Sequence, residues 1–592
     1  MFKQEQQQIE AKIHDYCAAN DIPFAGLKWS PIPFSGEWGM ATSFFQIAAD
    51  QVRAGKSKSP VPQRAQEIAA GVQSALGTME GISRIEAVKG YLNLYFSTPV
   101  YARRVVGTVI ERGKNFGRGD QKHERVMIEF SNPNTHKAFH VGHLRSAVLG
   151  DALARIFEFA GYDVVRANYP GDIGLHVIKW LWGYLKYHNG AEPETDITQW
   201  MGEVYADAAR KLEENPDLEA EVRAVYARWD KRDPEIVALW QKTRQWSLDG
   251  FDQMYAMLDI RFDKYYFNSG EEENGKRMVA DLIQRGIAID ERPAGAVIVK
   301  LDELLGEKKE KYRVMVALRS DGTALYATED LSLTLHKFND YPDLTRAIYI
   351  VDVRQSLHFT QVFKTLEIAG YDQARKCVHI PYEVVTLPGN VIISSREGNI
   401  VLLESLIREA ISRAYAVVRE KNPGLSEDQM QAVAKAVGLG AIRYPLLARE
   451  TAKIVTFDWE SALDFNGQAA PYIQYAHVRC NSILRKSNAE NQKPGLRSAT
   501  FDYKLEPAEI QLIDLLSRFP SEVQRAAAEY KPLIVSALAY ETAKAFNDFY
   551  NACPVIQSEA HVREARLLLV LAAKHTLANA LSLLGIEAPE VM

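Results

Sequence analysis

Two imidazoles stand three residues apart, His140 and His143, with Gly142 between them, in the stretch EFSNPNTHKAFHVGHLRSAVLGD from Glu129 to Asp151. Imidazole N–H groups donate to phosphate oxygens, and a residue without a Cβ lets a flat ring approach the backbone. Lys137 lies three residues ahead of His140, and Asn134 and Glu129 lie further upstream. The two imidazoles and the glycine suit a phosphate-bearing nucleotide. An isolated H-x-G-H also fits loop histidines with purely local hydrogen bonds, so the flanking elements must decide.

ERVMIEF (Glu124 to Phe130) is a short apolar, β-branched run and predicts a strand. From Leu144 the apolar positions Leu144, Val148, Ala152, Ile156 and Phe159 recur at helical spacing, and Gly161 marks the stop. DVVRANY predicts a second strand, completing a βαβ unit of a parallel sheet. The helix N-terminus then offers free N–H groups and partial positive charge to a phosphate. From about Trp180 to Met257 the chain is helix-like and charged, and on its own reads as a solvated insertion. RVMVALRSDGTALYATED predicts a hairpin turning at Asp321-Gly322. RAIYIVD and VHIPYEVVTL predict further strands, separated by the helical TQVFKTLEIAG, so the sheet resumes after the insertion.

A chain of 592 residues predicts roughly three or four domains. Its 47% apolar and 25% charged fractions are those of a globular protein. No apolar run reaches membrane-spanning length, and the polar N-terminus lacks a signal-peptide core. Cys17, Cys377, Cys480 and Cys553 are scattered without a CxxC, which predicts reduced thiols, a cytoplasmic setting and no structural zinc. The net charge of −6 gives no basic footprint for nucleic acid, although local patches remain open. We expect an N-terminal unit at 1–120, a sheet domain at 121–445 with an insertion at about 180–320, and a helical bundle at 446–592. Leu512, Leu515, Leu516 and Phe519, and then Leu538, Thr542, Ala545 and Phe549, mark stripes of that bundle.

Several stretches together resemble one family. The H-x-G-H resembles the HIGH motif of class I aminoacyl-tRNA synthetases, and SNPNTHKAFHVGHLRSAVLGD is similar to its arginyl-tRNA synthetase form. NYPGDIGLHV, LYATEDL, VDVRQSLHF and YIQYAHVR follow in that family's order along essentially the whole chain. The resemblance implies an α/β fold: a Rossmann-type parallel-sheet catalytic domain with a helical insertion, a small α+β N-terminal domain and an all-α C-terminal bundle. It implies activation of L-arginine by ATP, with Mg2+, and transfer to the 2′-hydroxyl of the terminal adenosine of tRNA(Arg). It also implies a monomer with no membrane partner.

By motif match, His140, Gly142, His143, His358, Ser394, Ser395 and Arg396 are expected at ATP. Glu129, Asn134, Glu271, Tyr326, Asp330 and Gln355 are expected around arginine. Asp330 would take the guanidinium, with Tyr326 on its flat face. Glu271, in a run of three glutamates, also fits a solvated face. Tyr475 and Arg479 would meet tRNA, the former also fitting plain packing.

Two departures stand out. NVIISSREGNIV carries Ser395 where the family's KMSKS loop has its second lysine, so Lys137 is expected to stand in, with Arg396 contributing less. The chain ends EAPEVM, with Val591 where many relatives have a basic residue. A nucleotidyltransferase shares the H-x-G-H but has no need of the helical bundle. A non-catalytic tRNA-binding paralogue is permitted by the altered loop. A class I synthetase for another amino acid is a third reading.

Overall fold

The computed structural model describes residues 3–24, 26–388, 391–392, 402–487 and 500–592. They divide into two compact units. One comprises residues 1–116, 476–520 and 538–579. Its antiparallel sheet runs Trp29–Pro31, Gly39–Ser43, Tyr91–Phe96, Ile82–Val88. Alternation in YLNLYF puts Leu92, Leu94 and Phe96 inside. The Trp38 indole stacks on Tyr101, centroids 4.3 Å apart, and donates to Asp514 at 3.1 Å. A buried Arg566–Glu509 pair at 3.0 Å ties two of this unit's helices.

The other unit comprises residues 117–475, 521–537 and 580–592. Its elements are β1 Arg125–Glu129, α1 Val141–Phe159, β2 Asp163–Asn168, α2 Leu175–Gly183, α3 Ile197–Glu214, α4 Glu219–Asp230, α5 Pro234–Met257 and β3 Lys264–Tyr265. They continue with α6 Asn268–Gln284, α7 Tyr326–Asp340, β4 Leu344–Asp352, α8 Ser356–Ile368, β5 Cys377–Tyr382 and α9 Leu403–Lys421. The five strands form one parallel sheet, order β5–β4–β1–β2–β3. Strand order reverses beside β1, and ligands of such sheets bind outside the carboxyl ends at that switch point. The expected stripe on α1 is buried, with Leu144, Val148, Ala152 and Ile156 at 1% exposure or less.

Three expectations are corrected. The helix of the H-x-G-H begins at Val141, so the motif is its cap and first turn. The expected hairpin is half a hairpin. Val314–Leu318 is a strand paired to Val297–Lys300, but LYATED opens α7. Leu331, Leu335 and Phe338 continue that run at helical spacing, and the Thr328 hydroxyl takes the Leu325 N–H at 2.9 Å, capping it. The insertion is no merely solvated helix set. Trp180, Trp182 and Trp240 are buried in it, and Trp200, Trp229 and Trp246 pack against them. Its charges lie on the outer faces of helices whose inner faces are apolar, rich in aromatic rings on α2 and α5 and aliphatic on α3. Among the described residues, no helix is long and apolar enough to cross a membrane.

Candidate active site

The segment after β1 turns into α1 at the carboxyl edge of the sheet. His140 has extended backbone and caps the helix. The Gly142 N–H donates to His140 Nδ1 at 3.1 Å, and the His140 N–H donates to His143 Nδ1 at 3.3 Å. Two Nδ1 atoms that accept leave the proton of each neutral ring on Nε2, so each ring keeps one outward donor. The rings stack with centroids 4.0 Å apart, and Phe139 lies flat on His143 at 5.1 Å. A Cβ at Gly142 would stand 2.8 Å from His140 Cε1, so glycine is what lets the capping imidazole fold over the turn. Burial, then the Lys137 charge, hold His140 down at about 4. Burial, His140 and Lys137 hold His143 well below the usual imidazole range. At neutral pH both rings are uncharged donors.

A cavity of about 380 Å³ opens here, lined by Ser131, Asn134, Lys137, His140, Gly142, His143, Arg145, Asp352 and Gln355 among others. It joins the ends of β1 and β4, as the switch point requires. Arg145 on α1 is fully buried and has no carboxylate partner among the described contacts. Its guanidinium donates to the carbonyls of Glu383, Val384 (3.3 Å), Thr451 (3.1 Å) and Lys453 (2.8 Å). Burial lowers it to about 10. Arg145 therefore stitches two distant backbone segments to the signature helix.

A second cluster is acidic and centres on Tyr169. This partly buried phenol is held well above its usual range by desolvation and then by Asp330, Glu329, Glu129 and Glu271. Asp330 on α7 pairs with His358 on α8 at 2.6 Å. Glu129, at the end of β1, forms a buried pair with Lys337 and accepts from Asn132 at 3.1 Å. Lys337 also lies 3.9 Å from the Tyr349 ring centroid. Glu329 accepts from Asn268, whose amide also donates to Tyr169 at 2.7 Å. Burial, and the nearby Asp330, Glu272 and Asp172, raise Glu329 to about 8 against the Asn268 hydrogen bond.

The expected residues fall into three groups. Asn134, Gln355, Lys137, His140, Gly142 and His143 line one cavity. His358, expected at ATP, is hydrogen-bonded to Asp330 at 2.6 Å. Glu271 is buried rather than on a solvated face, with its oxygens on Ser332 (2.7 Å) and His336 (2.6 Å). Tyr326 opens α7 and is 66% exposed. Ser394, Ser395 and Arg396 lie outside the described residues. Tyr475 and Arg479 share the helix Ala470–Lys486. Arg479 bonds Asn547 at 2.5 Å and lies over Tyr550, while Tyr475 is 40% exposed. Arg145, Glu329, Lys337 and Tyr169 escaped sequence reasoning, although only Lys337 lay outside the quoted motifs.

A profile described as the catalytic domain of class I tRNA synthetases (R) matches residues 105–459, and one described as the DALR anticodon binding domain matches residues 473–592. The arginine–tRNA ligase of Bdellovibrio bacteriovorus is 36% identical over 547 residues, covering 90% of each chain. That of Halothermothrix orenii is 33% identical, covering 89% of this chain and 90% of its own. The chain belongs to the arginyl-tRNA synthetase family. The Thermus thermophilus arginyl-tRNA synthetase structure superposes with a TM-score of 0.77 at 28% identity, covering 99% of this chain and 100% of the other. Membership accounts for the parallel-sheet fold with its signature turn and for the helical C-terminal region.

Proposed function

We propose that the chain ligates L-arginine to tRNA(Arg) through the turn that presents two uncharged Nε2 donors beside Lys137. That turn is the observation carrying the reading. An arginine carboxylate oxygen attacks the α-phosphorus of ATP, the bond to the β-phosphate oxygen breaks, and pyrophosphate leaves. The terminal 2′-hydroxyl then attacks the arginyl carbonyl, and AMP leaves. His140 and His143 donate to phosphate oxygens, and the α1 dipole adds to them. Lys137 supplies the positive charge that the departing pyrophosphate needs, in place of the loop lysine. Mg2+ arrives with ATP as part of the substrate, held by phosphates and water.

Asp330, set by His358, takes the guanidinium as a fork acceptor. Glu129, Asn134 and Gln355 hold the α-amino and carboxyl ends. Glu271 backs this pocket through Ser332 and His336 rather than touching substrate. Residues 1–120 contact the tRNA elbow, 121–445 carry the chemistry and 446–592 read the anticodon arm, with Tyr475 as a stacking ring. A monomer in the cytoplasm suits the four free thiols. The test is charging of total tRNA with each of the twenty amino acids. Incorporation of arginine alone is expected, and incorporation of another residue would sink the reading. Arginine-dependent ATP–pyrophosphate exchange is expected only when tRNA is present.

A further inference from the structure

Helix α3 belongs to the insertion, yet one of its faces is spent on the signature turn. Thr198, Gly202 and Tyr205 recur at i, i+4 and i+7 and so share a face. Thr198 Oγ1 donates to Glu404 Oε1 at the start of α9. Just ahead of Glu404, Leu402 forms a β-bridge with His140, and the Leu403 N–H donates to the Phe139 carbonyl at 3.0 Å. A Cβ on Gly202 would stand 2.6 Å from the Ala138 Cβ, so the helix backbone presses directly on the residue after Lys137. One turn on, the Lys137 ammonium lies 5.2 Å from the Tyr205 ring centroid, within cation–π range. Lys137 also lines the cavity with His140 and His143. A lysine ammonium rides on a four-carbon stem, so a phosphate-directed lysine gains from a group that fixes its azimuth.

We infer that Tyr205 is a positioning residue: its ring, carried by α3 against the signature turn, aims the Lys137 ammonium at the phosphates. The inference rests on the reading that Lys137 replaces the loop lysine. It gives the insertion a part in adenylate formation. Nothing in it requires Tyr205 to touch substrate. A ring that merely filled the aromatic core of the insertion would affect stability without singling out the step that Lys137 serves.

The test is single-turnover adenylate formation on the full chain with tRNA bound, using ATP and arginine. Tyr205→Leu is expected to slow the step about tenfold with arginine KM unchanged, and Tyr205→Phe, which keeps a π-face, to stay within about twofold. The double variant Lys137→Met/Tyr205→Leu should be no slower than Lys137→Met, because a residue acting through Lys137 has nothing left to aim. If Tyr205→Leu does not fold, Tyr205→Gln takes its place, with thermal unfolding recorded for each. A normal rate in Tyr205→Leu, an equal loss in Tyr205→Phe, or a loss that multiplies with that of Lys137→Met overturns the inference and leaves the Lys137 reading standing. A normal rate in Lys137→Met overturns that reading itself.

Discussion

The signature turn and the acidic cluster bury ionisable groups in opposite ways. At the turn, two imidazoles and one lysine are close together, and burial with a neighbouring cation strips the rings of charge. Around Tyr169, four carboxyl groups crowd one phenol, and three of them carry cationic or protonatable partners, Lys337, His358 and His336. At the turn the rings are neutral donors and the formal charge is that of Lys137. The cluster gathers its carboxyl groups beside Lys337, His358 and His336, and in the function we propose it is where the guanidinium binds. The difference teaches that the two regions are set apart by the charge they gather: uncharged imidazoles beside Lys137 at the turn, carboxyl groups around Tyr169 in the cluster.

The largest way to break the comparison is Asp330→Asn. Removing the charged acceptor of a buried guanidinium pair costs roughly 3–5 kcal/mol, so arginine KM should rise steeply while ATP KM holds. Equal changes in both would place Asp330 outside the pocket. Next is Lys137→Ala, which removes the formal charge from the turn. Adenylate formation should slow by about 10²–10³, roughly 2.7–4 kcal/mol, with arginine KM little changed. Arg396→Ala should cost clearly less, and the reverse order of the two variants would reassign the missing cation.

A pH titration sharpens the contrast. His140 is held near 4 in the folded chain, against an ordinary value near 6.5. As pH falls from about 6.5 towards 4, the unfolded chain takes up a proton that the folded ring refuses. Stability is therefore lost on acidification, by about 1.4 kcal/mol per pH unit for such a ring. Denaturant midpoints that stay flat across that window would contradict it. Glu329 has the opposite sign. Its folded value near 8 makes its contribution complete below about 4.5 and lost as pH rises through 8. Glu329→Gln, which cannot ionise, should match the parent chain near pH 4.5 and be the more stable of the two at pH 8. A variant less stable than its parent at pH 8 would show that Glu329 is needed as a carboxylate.

What the sequence determined by itself was short-range or periodic. The βαβ order around His140, the α1 stripe from Leu144 to Phe159 and the bundle stripes at Leu512 and Leu538 all follow from side-chain periods of 2 and 3.6. The motif residues that line one cavity lie in the segments after β1 and β4 and in the first turn of α1, at the carboxyl edge of the parallel sheet. The hairpin at Asp321-Gly322 misled because a turn signal names a turn and not the element after it. LYATED alternates over six residues, and only Leu331, Leu335 and Phe338 beyond it make the run helical.

Tertiary structure alone decided the rest. Arg145 looks like any helix arginine, yet its acceptors are backbone carbonyls at 383–384 and 451–453, and a carbonyl leaves no trace in a sequence. Lys337 meets Glu129, and His358 meets Asp330, because β1, α7 and α8 converge on one edge of the sheet. The insertion read as solvated because charges dominate its composition. Its inner face is set by the few aromatic residues and by Gly202, whose missing Cβ is what allows α3 to reach the turn. Pairings across hundreds of residues depend on where the sheet brings its helices, and that is fixed by packing rather than by any local pattern.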